Sequence, residues 1–141
     1  MTGARFKPLA TPETQQFWDG TQQHQLLLQQ CESCNTIYFP PRPFCPHCSE
    51  RRVRVLPASG RATLYSYVIS HRPAPGFEPP FSIAVVTLEE GPRLMTNVVG
   101  CPQTPEVLVL DMPLEVVFEK LDDTITLPLF RPAQAAVGGG A

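Results

Sequence analysis

Two Cys-x-x-Cys pairs, Cys31-Glu32-Ser33-Cys34 and Cys45-Pro46-His47-Cys48, stand ten residues apart and constrain this chain more than any other feature. Two residues between thiolates make a tight knuckle that puts both sulfurs on one ion, and a second knuckle completes the four-sulfur shell of a structural zinc site. The pattern predicts a zinc ribbon with Cys31, Cys34, Cys45 and Cys48 as ligands. Iron in a rubredoxin-like four-thiolate site shares the geometry and stays as the alternative. A redox role needs one exposed thiolate of low pKa, which two matched pairs do not offer. Four sulfurs leave the metal no open position, so it is expected to be structural. His47 is read as a solvent-facing spacer. Metal binding of this kind is folding free energy on the order of 10 kcal/mol, so chelation is expected to unravel residues 26–50.

Proline sets the texture of the rest. There are 17 prolines among 141 residues, roughly 12% against an average of about 5%. An interior proline costs a helix about 3 kcal/mol, so few long helices are expected. The chain is 43% hydrophobic and 17% charged, which excludes a disordered polyelectrolyte and suits one small domain with an appendage. The N-terminus lacks the apolar run of a secretory signal, and no stretch approaches the ~20 apolar residues that span a membrane. A cytoplasmic protein with reduced cysteines is expected, and no membrane partner.

A net charge of −2 gives no global field toward nucleic acid or anionic lipid. Locally, Arg42, Arg51, Arg52, Arg54 and Arg61 face only Glu50, while from Glu106 to Asp123 six acids face only Lys120. Opposite potentials at two ends of the molecule are expected, a pattern that orients a partner.

Thr11-Pro12-Glu13 carries the signals of a helix start, with Thr11 as N-cap, and Gly20 those of a stop. So short a helix cannot shield Phe17 and Trp18, which must dock on the chain's own surface or on a partner. Residues 25–30 read as a strand leading into the first knuckle. From Gly60 onward short strands alternate with turn chemistry, at 62–71, 81–88, 93–99, 114–119 and 124–129, with a single helical turn within 104–112. A small closed barrel removes the edges that such strands would otherwise expose. The units expected are an N-terminal arm with a short helix (1–25), the ribbon (26–56), the barrel (57–133) and a disordered tail (134–141).

Such barrels often bind single-stranded nucleic acid through aromatic platforms and a basic groove. Here the middle strands offer Ile83, Val85, Leu94, Met95 and Val98, with Phe81 only at an end. Tyr65 and Tyr67, expected on one face of the first barrel strand, could stack a base, but packing in the core or at the rim is the reading preferred. Nucleic acid binding is therefore the alternative reading. Cys101 is read as a half-buried apolar residue at a strand end, since no motif ties His24 or His71 to it as a base. No paired carboxylates, Ser-His-Asp order or glycine-rich phosphate loop is present.

Taken in order, the motifs carry a family resemblance. They are Phe17-Trp18, Leu27 to Cys34, Phe39-Pro40-Pro41-Arg42, Cys45 to Cys48, Ser59 to Ser66 and Pro75-Gly76-Phe77. They continue with Asn97 to Cys101, Met112 to Glu119 and Leu127 to Pro132. The chain resembles the acyl-CoA-associated zinc-ribbon and OB-fold proteins, first known as a domain of unknown function, over roughly residues 12–133. The resemblance implies a mainly β fold: short N-terminal helix, rubredoxin-like zinc ribbon and five-stranded OB-fold barrel. It also implies an accessory role beside thiolase-like proteins, including lipid-transfer-type steroid side-chain aldolases, in a hetero-oligomer and without catalysis of its own. The 72–81 loop fits that role, since four prolines stiffen a segment carrying Phe77 and Phe81 and lower the cost of ordering it. The contact residues expected are Arg72, Pro75, Gly76, Phe77 and Phe81, and Arg72 with the Arg42, Arg51, Arg52 and Arg54 group are the candidates for the phosphates of a CoA thioester. A free-standing CoA-thioester binder is a further alternative.

Overall fold

Proline density leaves room for one α-helix among the described residues, 5–133 of the computed structural model, and it is two turns long: α1 (Gln15–Gln22). Thr11 opens the turn that precedes it. Its carbonyl accepts the Gln15 N–H at 2.8 Å, and its own N–H donates to Thr14 Oγ1 at 2.9 Å. Regular helix thus begins at Gln15 rather than Pro12. Gly20 is no stop. It is buried within α1, where a Cβ would lie 2.6 Å from Leu27 Cδ1, so glycine allows the helix to lie against the next strand. The reversal comes at His24, in the left-handed region with φ 59°.

The ribbon is a three-stranded antiparallel sheet in which β1 (Leu27–Cys31) lies between β2 (Ile37–Tyr38) and β3 (Val53–Pro57). β3 was not expected, because the arginines at 51, 52 and 54 mask the apolar alternation of Val53 and Val55. Pairing with β1 settles it, and Arg54 reaches across to Gln30 Oε1 at 2.7 Å.

The second sheet comprises β4 (Arg61–Ser70), β5 (Phe81–Leu88), β6 (Arg93–Thr96), β7 (Pro113–Lys120) and β8 (Thr126–Pro132), in the order β6-β5-β4-β7-β8. All its ladders are antiparallel, and the sheet curls until its edges meet. They join at one parallel bridge, where the Val99 N–H donates to Phe130 O (2.8 Å) and the Phe130 N–H to Asn97 O (3.1 Å). The closed barrel expected is therefore a curled half-barrel with a two-bond seam. β6 stops at Thr96 because side chains replace its ladder. Ser82 Oγ accepts the Val98 N–H at 3.1 Å, and Asn97 Nδ2 donates to Ser82 O at 2.6 Å, which turns the chain toward β8. Residues 104–112 form turns, with one helical bond from the Leu108 N–H to Thr104 O at 2.9 Å.

A bulge between Leu64 and Ser66 overturns one expectation. It flips the alternation of β4, so Tyr67 packs toward the core while Tyr65 stays exposed under Arg93, whose guanidinium carbon lies 3.7 Å from the ring centroid. The two tyrosines do not form one platform. The core centres on Leu64, Val86, Leu88, Val98, Leu108, Leu114 and Phe130, each essentially fully buried. Phe17, Leu26 and Leu28 join the same cluster, so Phe17 docks on its own chain, 5.2 Å from Phe39.

The acidic stretch is largely paired. Arg5 meets Glu119 at 3.3 Å, Lys7 meets Asp122 at 2.7 Å and Arg131 meets Glu115 at 2.7 Å, which blunts the opposed potentials expected from sequence. Lys7, then the Thr124 hydrogen bonds, hold the Asp122 carboxyl well below the usual carboxylate range. No described helix is long and apolar enough to cross a membrane. The expected tail at 134–141 lies outside the described residues.

Candidate metal centre and contact loop

Each knuckle is built the same way. The N–H groups of Ser33 and Cys34 point at Cys31 Sγ (3.3 and 3.4 Å), and those of His47 and Cys48 at Cys45 Sγ (3.3 and 3.5 Å). Asn35 and Ser49 close the knuckles in the left-handed region, φ 63° and 68°, each N–H returning to the first cysteine's carbonyl. Backbone donors aimed at sulfur favour the thiolate, the form a metal takes. His47 is exposed and contributes this backbone N–H.

The four sulfurs all lie within 4.8 Å of one another, with Cys31–Cys48 at 3.6 Å and Cys34–Cys45 at 3.7 Å. A tetrahedral zinc with Zn–S bonds of about 2.3 Å needs sulfur–sulfur edges of about 3.8 Å, so the donor set fits. Cys31 and Cys45 are fully buried. The Thr36 hydroxyl, 3.1 Å from Cys34 Sγ, and then the Thr36 backbone hydrogen bond bring the Cys34 thiol down to about 6. Cys48 has a backbone hydrogen bond at Glu50 that favours the thiolate, yet burial and the other three sulfurs push it up to about 12. Four thiols that repel as thiolates and converge on one point are held together by a dication, and four ligands close its coordination.

The contact loop leaves β4 at Ser70 and returns at Phe81. A tight turn, with the Phe77 N–H on Ala74 O at 2.9 Å and Gly76 at φ 80°, stacks Phe77 on Phe81 with centroids 4.6 Å apart. These residues border a cavity of about 260 Å³ whose wall also includes Ser82, Asn97, Val99 and Arg5. Pro75 and Arg72 stand exposed on the same loop, outside the cavity wall, and the Arg72 N–H is taken by Ser70 Oγ at 3.3 Å. Arg42 and Arg52 are elsewhere, on the ribbon. The Arg42 N–H donates to Gln29 Oε1 at 2.8 Å, and Arg52 reaches Ser33 Oγ at 3.2 Å and Glu50 at 3.7 Å. Among the described residues, the cation the fold brings to the cavity is Arg5, which no local sequence signal announces. Burial pushes the Cys101 thiol up, as suits an apolar role.

Family models extend the likeness along the chain. One described as the ChsH2 rubredoxin-like zinc ribbon domain matches residues 18–54, and one described as the ChsH2 C-terminal OB-fold domain matches residues 56–119. The solved chain of an Ltp2-ChsH2(DUF35) aldolase is 36% identical with a TM-score of 0.81, covering 89% of this chain and 98% of that one. This chain belongs to the DUF35 family. A DUF35 domain-containing scaffold protein of Methanocaldococcus jannaschii is 34% identical over 96 residues, 66% of this chain and 67% of that protein. A probable enoyl-CoA hydratase alpha subunit of Thermomonospora curvata is 37% identical over 147 residues, 92% of this chain. The DUF35 chain spans only 46% of that relative's length. The names of these DUF35 relatives are those of scaffolds and of subunits of acyl-CoA enzymes.

Proposed function

We propose that this DUF35 chain is a non-catalytic accessory subunit that binds a thiolase-like acyl-CoA enzyme of the lipid-transfer-type thiolase or aldolase kind, forming a hetero-oligomer and supporting the enzyme's acyl-CoA site. The observation that carries this is the likeness, at 36% identity over 98% of its length, to the solved chain of an Ltp2-ChsH2(DUF35) aldolase. The zinc site supports it by being closed, which gives the metal a structural task only. The contact loop supports it as well. Phe77 and Phe81 form a stacked aromatic pair on a proline-stiffened segment, and rigid aromatic residues make interface anchors at low entropic cost. Arg42, Arg52 and Arg72 are exposed and remain the proposed contacts for CoA phosphates. The outer face of β4 and β5 exposes Val68 and Ile83, aliphatic surface that suits a protein better than stacked bases. The working units are taken as residues 26–56 and 57–133, in a reducing cytoplasm where the thiols stay free for metal.

Affinity purification of the tagged chain from native cells is expected to bring a thiolase-like enzyme with it. Phe77→Ala, or replacement of residues 72–80 by glycine and serine, is expected to lower that enzyme's activity by about tenfold, the loss of one buried aromatic anchor, with zinc content unchanged. Recovery of nucleic acid in place of an enzyme, with binding that falls steeply as salt rises, would favour the alternative.

A further inference from the structure

The chain's N-terminal arm crosses the end of the half-barrel and grips the contact loop. The Arg5 guanidinium carbon lies 4.4 Å from the Phe77 ring centroid, its Nε donates to Gly76 O at 3.4 Å, and its Nη1 meets Glu119 Oε1 at 3.3 Å. Two residues on, Lys7 Nζ meets Asp122 Oδ2 at 2.7 Å and Thr124 Oγ1 at 3.5 Å. The Arg5 side chain is only 18% exposed, whereas Phe6 beside it is 85% exposed and Leu9 80%. This inverts the usual order. Arg5 faces inward, Lys7 pairs at the surface and the apolar groups face water, so the arm is held by charge and by a cation–π contact rather than by hydrophobic burial. Gly76 is shaped to receive it, since a Cβ there would collide with Arg5 Cγ and lie 2.8 Å from the Arg5 backbone.

We propose that Arg5 and Lys7 form a latch. Seated on Phe77, Arg5 pins the 72–80 loop to the end of β7, and its release frees Phe77 and removes one wall of the cavity of about 260 Å³. Contacts of this kind weaken with ionic strength, so the latch answers to salt and to anything that displaces a guanidinium from its carboxylate. What this means for an assembly rests on the accessory-subunit reading: the chain's own arm covers Phe77 until the enzyme partner takes its place.

The test uses the full-length, zinc-loaded chain. Hydrogen exchange over residues 74–81, which includes the Phe77 N–H on Ala74 O, is compared in wild type, Arg5→Ala and Glu119→Gln. A weakly held segment opens readily, so both variants are expected to exchange there about fivefold faster or more, while Val99 and Val116 in the barrel stay unchanged. Trypsin cleavage after Arg5, measured relative to a free peptide of residues 1–12, is expected to speed up by a similar factor in Glu119→Gln. Raising salt to about 0.5 M should reproduce that in wild type. Exchange over 74–81 that ignores Arg5→Ala, or cleavage indifferent to both Glu119→Gln and salt, would overturn the latch. Failure to recover an enzyme partner would sink the accessory-subunit reading instead and leave these measurements standing.

Discussion

Removing the metal is expected to split the molecule into an unfolded ribbon and a folded half-barrel. A structural zinc site binds with about 10–16 kcal/mol near neutral pH, against about 5–15 kcal/mol for the whole stability of a typical domain. Beyond the metal, the ribbon is held by a few side chains, two of which, Leu26 and Leu28, reach into the barrel's core cluster. Leu28 and Tyr38, with Leu26 beside them, are its buried apolar side chains, at about 2 kcal/mol each. Each ordered residue opposes that with about 1–2 kcal/mol of backbone entropy. The barrel instead holds Leu64, Val86, Leu88, Val98, Leu114 and Phe130 in a core that contains none of the ribbon's sulfurs. Amide exchange during titration with a chelator reads both units at once. The N–H groups of Glu32, Asn35, Cys45 and Ser49, which bond within the ribbon, should lose protection as zinc leaves. Those of Leu64, Val99 and Val116 should keep theirs. Cys45→Ser should reproduce the pattern without chelator, since Cys45 is a fully buried proposed ligand. Ribbon amides that stay protected in a preparation shown to be metal-free would refute the reasoning, as would loss of ribbon and barrel protection in one step.

The pH dependence of metal uptake follows from the thiols. Zinc binds thiolates, and the unfolded metal-free ribbon carries its four cysteines as ordinary thiols of pKa about 8.5, so uptake near neutral pH releases protons. Zinc affinity should therefore rise with pH, by about tenfold per unit for each proton released, with proton release visible in weakly buffered calorimetry. Phe130→Ala empties the centre of the core beside the seam, where Phe130 is 0% exposed, and should cost about 3–5 kcal/mol, seen as a fall in Tm of about 10–20 °C with zinc still bound.

How much was legible in the sequence follows from the range of the forces involved. The zinc ligands were readable because a knuckle is local: four residues and their own N–H groups make it. β5 was readable because Phe81–Leu88 is a short, largely apolar run between turn signals, although its buried face, with Ser82 and Ala84, was not. Gly20 and β3 were not. A glycine that admits a neighbouring strand looks like one that ends a helix, and an arginine-rich strand looks like a charged loop until a partner strand is known. Plain alternation puts Tyr65 and Tyr67 on one face, and the bulge that parts them has no reliable mark in sequence.

The sequence by itself determined the metal site, the class of fold, the shortness of the described helix and the proline-rich make-up of the 72–80 loop. All of these depend on residues a few positions apart, where spacing and backbone chemistry decide. The tertiary structure alone decided that the sheet curls into a half-barrel with a two-bond parallel seam and that Arg42 and Arg52 lie on the ribbon rather than beside Phe77. It alone seated Arg5, 71 residues away in the chain, on the loop beside Gly76. Long-range contacts depend on where whole strands come to rest, and no local pattern of residues encodes that position.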